Sequence, residues 1–222
     1  MFLPMNQVFD LVDHIGLRKC QIVSKKLAHQ DMVHVSIFSF DKNESVSQQS
    51  NSEDIIIYVL SGKVEVETNQ IHSASAGQVL AIPRHTLHRV YSVEQSKIFQ
   101  WSTSKGEEEM EQFIKKVQHG EILNIGDALE YESNGVSSLA LVQRETLTIT
   151  LMAFDAGEHI AAHSSNGDAL VQVLEGTAYI DINGTPYEIP ANKSIVMPAN
   201  VPHAVSATNG RFKMMLTVVK PL

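Results

Sequence analysis

The sequence predicts an all-β chain: two tandem antiparallel barrels joined by a short amphipathic helix. Their bounds are 1–104 for the N-terminal barrel, 105–121 for the linker and 122–222 for the C-terminal barrel. Three observations predict this. The chain repeats itself, each copy is built of short alternating strands separated by turns, and helical periodicity is confined to one stretch between the copies.

The repeat is the first element to justify. The string VLSG ending at Gly62 recurs as VLEG ending at Gly176, an offset of 114 residues. At that offset Asp13 pairs with Asp127, Ser24 with Ser138 and Leu27 with Leu141 in one ungapped register. The same register pairs Phe40 with Phe154, Asp41 with Asp155, Glu44 with Glu158 and Asp54 with Asp168. Pro83 and His88 then match Pro198 and His203 at an offset of 115, which requires one extra residue, placed here at the turn around Asn183 and Gly184. After His88 the match blurs.

Strands come next. Val33, Val35 and Ile37 alternate with His34 and Ser36, and Ile55, Ile57 and Val59 lead into the turn at Ser61 and Gly62. The second copy repeats the pattern with Leu147, Ile149 and Leu151, then Ala178, Ile180 and Ile182 before Asn183 and Gly184. Strict alternation marks a half-buried strand, and Asn-Gly accepts the positive φ angles of a tight hairpin turn. Many short strands of this kind make a sandwich or barrel.

Between the copies, Ser104 and Glu107 are spaced as a capping box, and Met110, Phe113, Ile114 and Val117 recur at three- and four-residue spacing. Gly120 is suited to end the helix expected at about 105–118. A single apolar stripe normally faces the protein's own core, so this helix reads as packing.

Composition narrows the partners. A formal net charge of -8 opposes attachment to phosphate backbones or anionic lipid, so no nucleic acid and no membrane are expected. The single cysteine, Cys20, cannot form an intrachain disulfide, and the first residues, MFLPMNQVFD, lack the form of a secretory signal. A cytoplasmic protein is the expectation.

Two strings in each copy resemble the cupin superfamily. In the C-terminal copy Gly157, His163, Ser165, Ala169 and Gly176 fall at the places of the first family pattern, and Asn192, Pro198, Asn200, His203 and Ala207 at those of the second. The N-terminal copy offers Gln49, Asn51 and Ile55 for the first and Gly77, Pro83, His85, His88 and Ser92 for the second. The chain as a whole resembles small bacterial bicupins. The resemblance implies double-stranded β-helix barrels whose interior holds, in metal-bearing members, three histidines and a glutamate around a divalent transition metal.

Carried over residue by residue, the C-terminal copy keeps His163 and His203, with Ser165 and Ala169 at the other two places, while the N-terminal copy keeps only His88. The resemblance therefore implies at most a weakly held divalent metal on His163 and His203, and none in the N-terminal barrel. Asp168 stands one residue before the expected glutamate, and strand alternation turns it to the opposite face. His88, without companions, is expected to bond the backbone. Ser165 is expected to line the site beside the two histidines.

Two functions are compatible with this set. The first is a small-molecule-binding protein with its pocket in the C-terminal barrel, on His163, Ser165 and His203. The second is an enzyme, metal-dependent or metal-free, acting through His163 and His203. In either case the two barrels are expected to pack as an intramolecular pseudo-dimer, with homo-oligomerisation open.

Overall fold

In a computed structural model of the chain, residues 1–30, 33–103 and 120–221 are described. They form two compact units: an N-terminal unit of Val12–Ile125 with Phe2, and a C-terminal unit of Gly126–Leu222 with Met1 and Leu3–Leu11. The helix expected at 105–118 lies outside the described residues. No helix among the described residues is long and apolar enough to cross a membrane.

The N-terminal unit contains β1 (Ile22–Gln30), β2 (Val33–Phe40), β3 (Asp54–Ser61), β4 (Lys63–Glu67), β5 (Ile71–Ser75), β6 (Gln78–Ile82), β7 (Arg89–Ser92), β8 (Ser96–Thr103) and β9 (Ile122–Asn124). Its sheets run β1-β2-β8-β3-β6-β9 and β5-β4-β7. The C-terminal unit contains β10 (Val136–Gln143), β11 (Leu147–Phe154), β12 (His159–His163), β13 (Asp168–Glu175), β14 (Thr177–Ile182), β15 (Thr185–Pro190), β16 (Ser194–Met197), β17 (His203–Ser206) and β18 (Phe212–Val219). Its sheets run β10-β11-β18-β13-β16 and β12-β17-β14-β15.

The larger sheets thus share one strand order, and the agreement reaches single residues. Ile22 opposes Phe40 as Val136 opposes Phe154, and both first strands bulge at the residues paired by the repeat, Leu27 and Leu141. Gly62 and Gly176 explain the marks that revealed the repeat. Their φ angles are +75° and +73°, and an added Cβ would stand 2.3 Å from the carbonyl oxygen of Gln95 or Arg211. Only glycine fits either position without moving backbone.

The extra residue of the second copy falls in the hairpin expected to hold it. Glu67 and Ile71 enclose the three residues of the β4–β5 turn, whereas their counterparts Asp181 and Pro186 enclose four, of which Ile182 and Thr185 pair and close a tight turn over Asn183 and Gly184. Both turn residues have positive φ, 53° and 81°.

Each core lies between the two sheets of its unit. Ile55, Ile57 and Val59 of β3 meet Val64 and Val66 of β4, and Ala169, Val171 and Val173 of β13 meet Ala178, Ile180 and Ile182 of β14. Full burial of such a side chain stabilises by about 1.5–3 kcal/mol, so these alternating rows hold the strands in register.

The edges of the larger sheets account for unit boundaries that differ from the sequence reading. β9, whose sequence opens the second copy, pairs with β6 of the N-terminal unit. Residues at the start of the first copy pair instead with β16 of the C-terminal unit, where Met5 bridges Val196 and Phe9 bridges Ser194. Unit boundaries after Leu11 and after Ile125 are themselves separated by 114 residues, so the two arms are equivalent. An uncovered sheet edge exposes a row of unpaired N–H and C=O groups, and each arm removes one such edge.

Candidate functional site

The C-terminal unit brings His163 and His203 together. The two face each other directly in the β12–β17 ladder, and their rings lie 4.6 Å apart at 63°. β12 reaches this position through a bulge: Ile160 opposes Val205, and one extra residue precedes the His163–His203 pair. Residues two apart on β17 share a face, and opposed residues project to the same side, so both rings lie on the side of Val205. That side is the core side, because Val205 packs with Ile180 and Ile182 of β14. The bulge sets His163 opposite His203 while leaving it exposed, a common use of such irregularities.

Each ring is oriented by its own backbone. Nδ1 of His163 lies 3.0 Å from the carbonyl oxygen of Ala161, and Nδ1 of His203 3.0 Å from that of Val201. A carbonyl can only accept, so each Nδ1 carries a proton, and in a neutral ring Nε2 is then the acceptor. Neither Nε2 bonds another described residue. His203 is 3% exposed, whereas His163 faces solvent. Burial holds the His203 pKa below its ordinary value; the Val201 hydrogen bond opposes this and the nearby His163 adds to it. His203 is therefore a neutral imidazole at neutral pH.

Ser165 sits beyond the end of β12, so strand alternation no longer governs it. Its hydroxyl donates to the Gly167 carbonyl oxygen at 3.1 Å and accepts from the Gly167 N–H at 3.2 Å. That local turn occupies the hydroxyl. Ala169 is a buried core residue. Asp168 accepts a hydrogen bond from the Ala199 N–H at 3.1 Å, and its second oxygen pairs with the α-ammonium group of Met1. It thereby caps the 198–200 turn that leads into His203.

The N-terminal unit shows the same frame with a different pair. Gln49 bridges His88 through reciprocal backbone hydrogen bonds of 2.9 and 2.8 Å, at the place of His163 and His203. His88 donates from Nδ1 to the Thr86 carbonyl oxygen at 2.9 Å, as expected of a histidine held by backbone. Asp54, the counterpart of Asp168, accepts from the Arg84 N–H at 2.8 Å and pairs with its guanidinium at 3.0 Å. The sequence reading missed a cleft of ≈ 580 Å³ in this unit, because its walls come from separate segments at 68–72, 80–87 and 120.

These side chains do not fit a resident divalent metal. Two imidazoles converge, Ala169 supplies no donor, the Ser165 hydroxyl is engaged, and the described residues contain no cluster of three or more His, Cys, Asp or Glu. Protein zinc sites use at least three protein ligands, one more than the ring pair supplies.

Residues 150–220 match the family model for the Cupin domain. A Cupin 2 conserved barrel domain protein from Leptotrichia buccalis is 26% identical, with 98% of each chain covered and a TM-score of 0.88. Protein Ylba from E. coli is 13% identical, with 96% of this chain and 89% of that chain covered and a TM-score of 0.64. The salicylate 1,2-dioxygenase from Pseudaminobacter salicylatoxidans is 14% identical, with 89% and 76% covered and a TM-score of 0.64. The last two show likeness of fold alone. No curated protein matches the chain.

Proposed function

We propose that the chain is a bicupin of the cupin superfamily, two tandem copies of one barrel, whose C-terminal copy, the part matched by the Cupin domain model, binds a small molecule through His163 and His203. The observation that carries this reading is the ring pair itself. Two imidazole rings, each held through Nδ1 by a backbone carbonyl, lie 4.6 Å apart beside an apolar core. A neutral acceptor such as His203 Nε2 selects ligands that donate hydrogen bonds, so a polyhydroxylated molecule suits it at neutral pH better than an anion.

A panel of neutral monosaccharides and their sugar-acid counterparts, read by ligand-observed NMR, tests the proposal. A neutral polyol should bind the native protein and not the His163→Ala/His203→Ala variant. Equal binding by both proteins would remove the site assignment and leave the fold. One observation favours the enzyme reading as well: a neutral His203 with a free Nε2 can accept a proton from a bound ligand. Turnover that disappears in His203→Ala while ligand binding persists would select it.

A further inference from the structure

We propose that the N-terminal unit carries a second small-molecule site, distinct from the histidine pair, in the cleft between the turns at 68–70 and 83–87, and that this site takes an uncharged amphipathic ligand. The cleft's volume of ≈ 580 Å³ falls within the range of small-molecule sites, about 300–1,000 Å³. Gln49, Asn51, Ile55 and His88, which occupy the positions equivalent to the C-terminal site, are not among its lining residues.

The chemistry of the walls sets the ligand class. Leu80, Ile82, Pro83 and Leu87 give an apolar surface, and Leu80 and Ile82 are themselves core residues. Asn69, Gln70 and Thr86 add amide and hydroxyl groups that can both donate and accept. None of the described lining residues is Asp, Glu, Lys or Arg. Against these described walls a charged ligand would lose its hydration without a counter-charge among them, whereas a neutral one with an apolar body and a few polar groups loses little.

The site is also held in shape. Thr68 Oγ1 lies 3.2 Å from Nε2 of His72, a buried side chain, and 3.1 Å from Oδ1 of Asn69, which ties the 68–70 turn to β5. Leu87 remains 54% exposed at the cleft, a large apolar side chain that the protein's own packing leaves in water. A ligand in the cleft would cover it.

Two dyes test the proposal with the intact chain: neutral N-phenyl-1-naphthylamine and anionic 8-anilino-1-naphthalenesulfonate, each titrated by fluorescence. The neutral dye should saturate at one site and bind at least tenfold more tightly than the anionic one. Leu87→Glu, at an exposed position, should weaken the neutral dye at least tenfold. Thr86→Lys should shift preference toward the anionic dye. The His163→Ala/His203→Ala variant should bind the neutral dye as the native protein does, which separates this site from the histidine pair. Equal affinity for the two dyes, non-saturable binding, indifference to both cleft substitutions or loss in the histidine variant would each overturn the assignment.

Discussion

Replacing Asp168 by alanine tests whether this carboxylate holds the His203 turn or faces a ligand. In the structure one oxygen accepts from the Ala199 N–H at 3.1 Å and the other meets the Met1 ammonium group, so both are engaged by the protein itself. A hydrogen bond to a charged acceptor contributes about 1.5–3 kcal/mol, and the carboxylate is 20% exposed, so the expected loss is about 2 kcal/mol. For a chain of this size that lowers Tm by about 4–8 °C. Asp168→Asn keeps an acceptor for Ala199 and should lose about half as much. Asp54→Ala gives the internal comparison: its carboxylate is 1% exposed and faces Arg84, so its loss leaves a guanidinium largely buried and should cost about 3 kcal/mol. Urea denaturation followed by far-UV circular dichroism reads all three variants. A cost below about 0.5 kcal/mol for Asp168→Ala would refute the capping role. Lost ligand binding at unchanged stability would instead put the carboxylate in the site.

Gly176→Ala should destabilise by about 3 kcal/mol, because φ is +73° and the new Cβ would stand 2.3 Å from the Arg211 carbonyl oxygen; an unchanged urea midpoint would contradict the close approach. His85 and Asn200 occupy equivalent turns with φ of 61° and 62°, so His85→Gly should stabilise by about 0.5–1 kcal/mol and Asn200→Gly by less, since asparagine tolerates this region better. Acidification should destabilise through His203. Its folded pKa lies below the ordinary 6.5, so the unfolded chain takes up the proton first and stability is lost as pH falls from about 6.5 toward the folded value. His14, lowered by burial and by Lys25, acts with the same sign. Urea midpoints at pH 7.5 and 5.5 should therefore fall, and less so in His203→Asn; a midpoint that rises on acidification would refute the sign.

What the sequence disclosed about the fold was largely backbone constraint. Gly62 and Gly176 occupy positions where no side chain fits, and Asn183 and Gly184 take the positive φ angles expected of them. The match blurs after His88 for a physical reason: the stretch from His203 to Arg211 is one residue longer than that from His88 to Gln95, which moves the register from an offset of 115 to 116. The arms could not be read in the same way. Which edge Phe9 or Leu123 covers depends on tertiary pairing, and either short apolar segment suits either sheet. In the site, His163 and His203 were legible through the family frame. The β12 bulge that aims His163, and the turn that consumes the Ser165 hydroxyl, arise from local geometry that spacing alone does not encode.

The two units together separate what the fold requires from what it merely carries. In both, an aspartate caps the proline-led turn, and a backbone N–H in the turn donates to the opposite loop, His85 to Asn51 and Asn200 to Ser165, each at 2.7 Å. In both, the histidine after the turn donates Nδ1–H to the carbonyl two residues earlier. Such ties account for His88 and His203 as residues that finish a buried turn. His163 makes the same kind of tie, to the Ala161 carbonyl, but outside the proline-led turn. Its ring is solvent-facing, and the N-terminal unit makes the equivalent bridge with Gln49, so the strand pairing forms without an imidazole at that place. A second ring 4.6 Å from His203 adds an acceptor that backbone geometry does not demand, and the ligand assignment therefore rests on His163 more than on its buried partner.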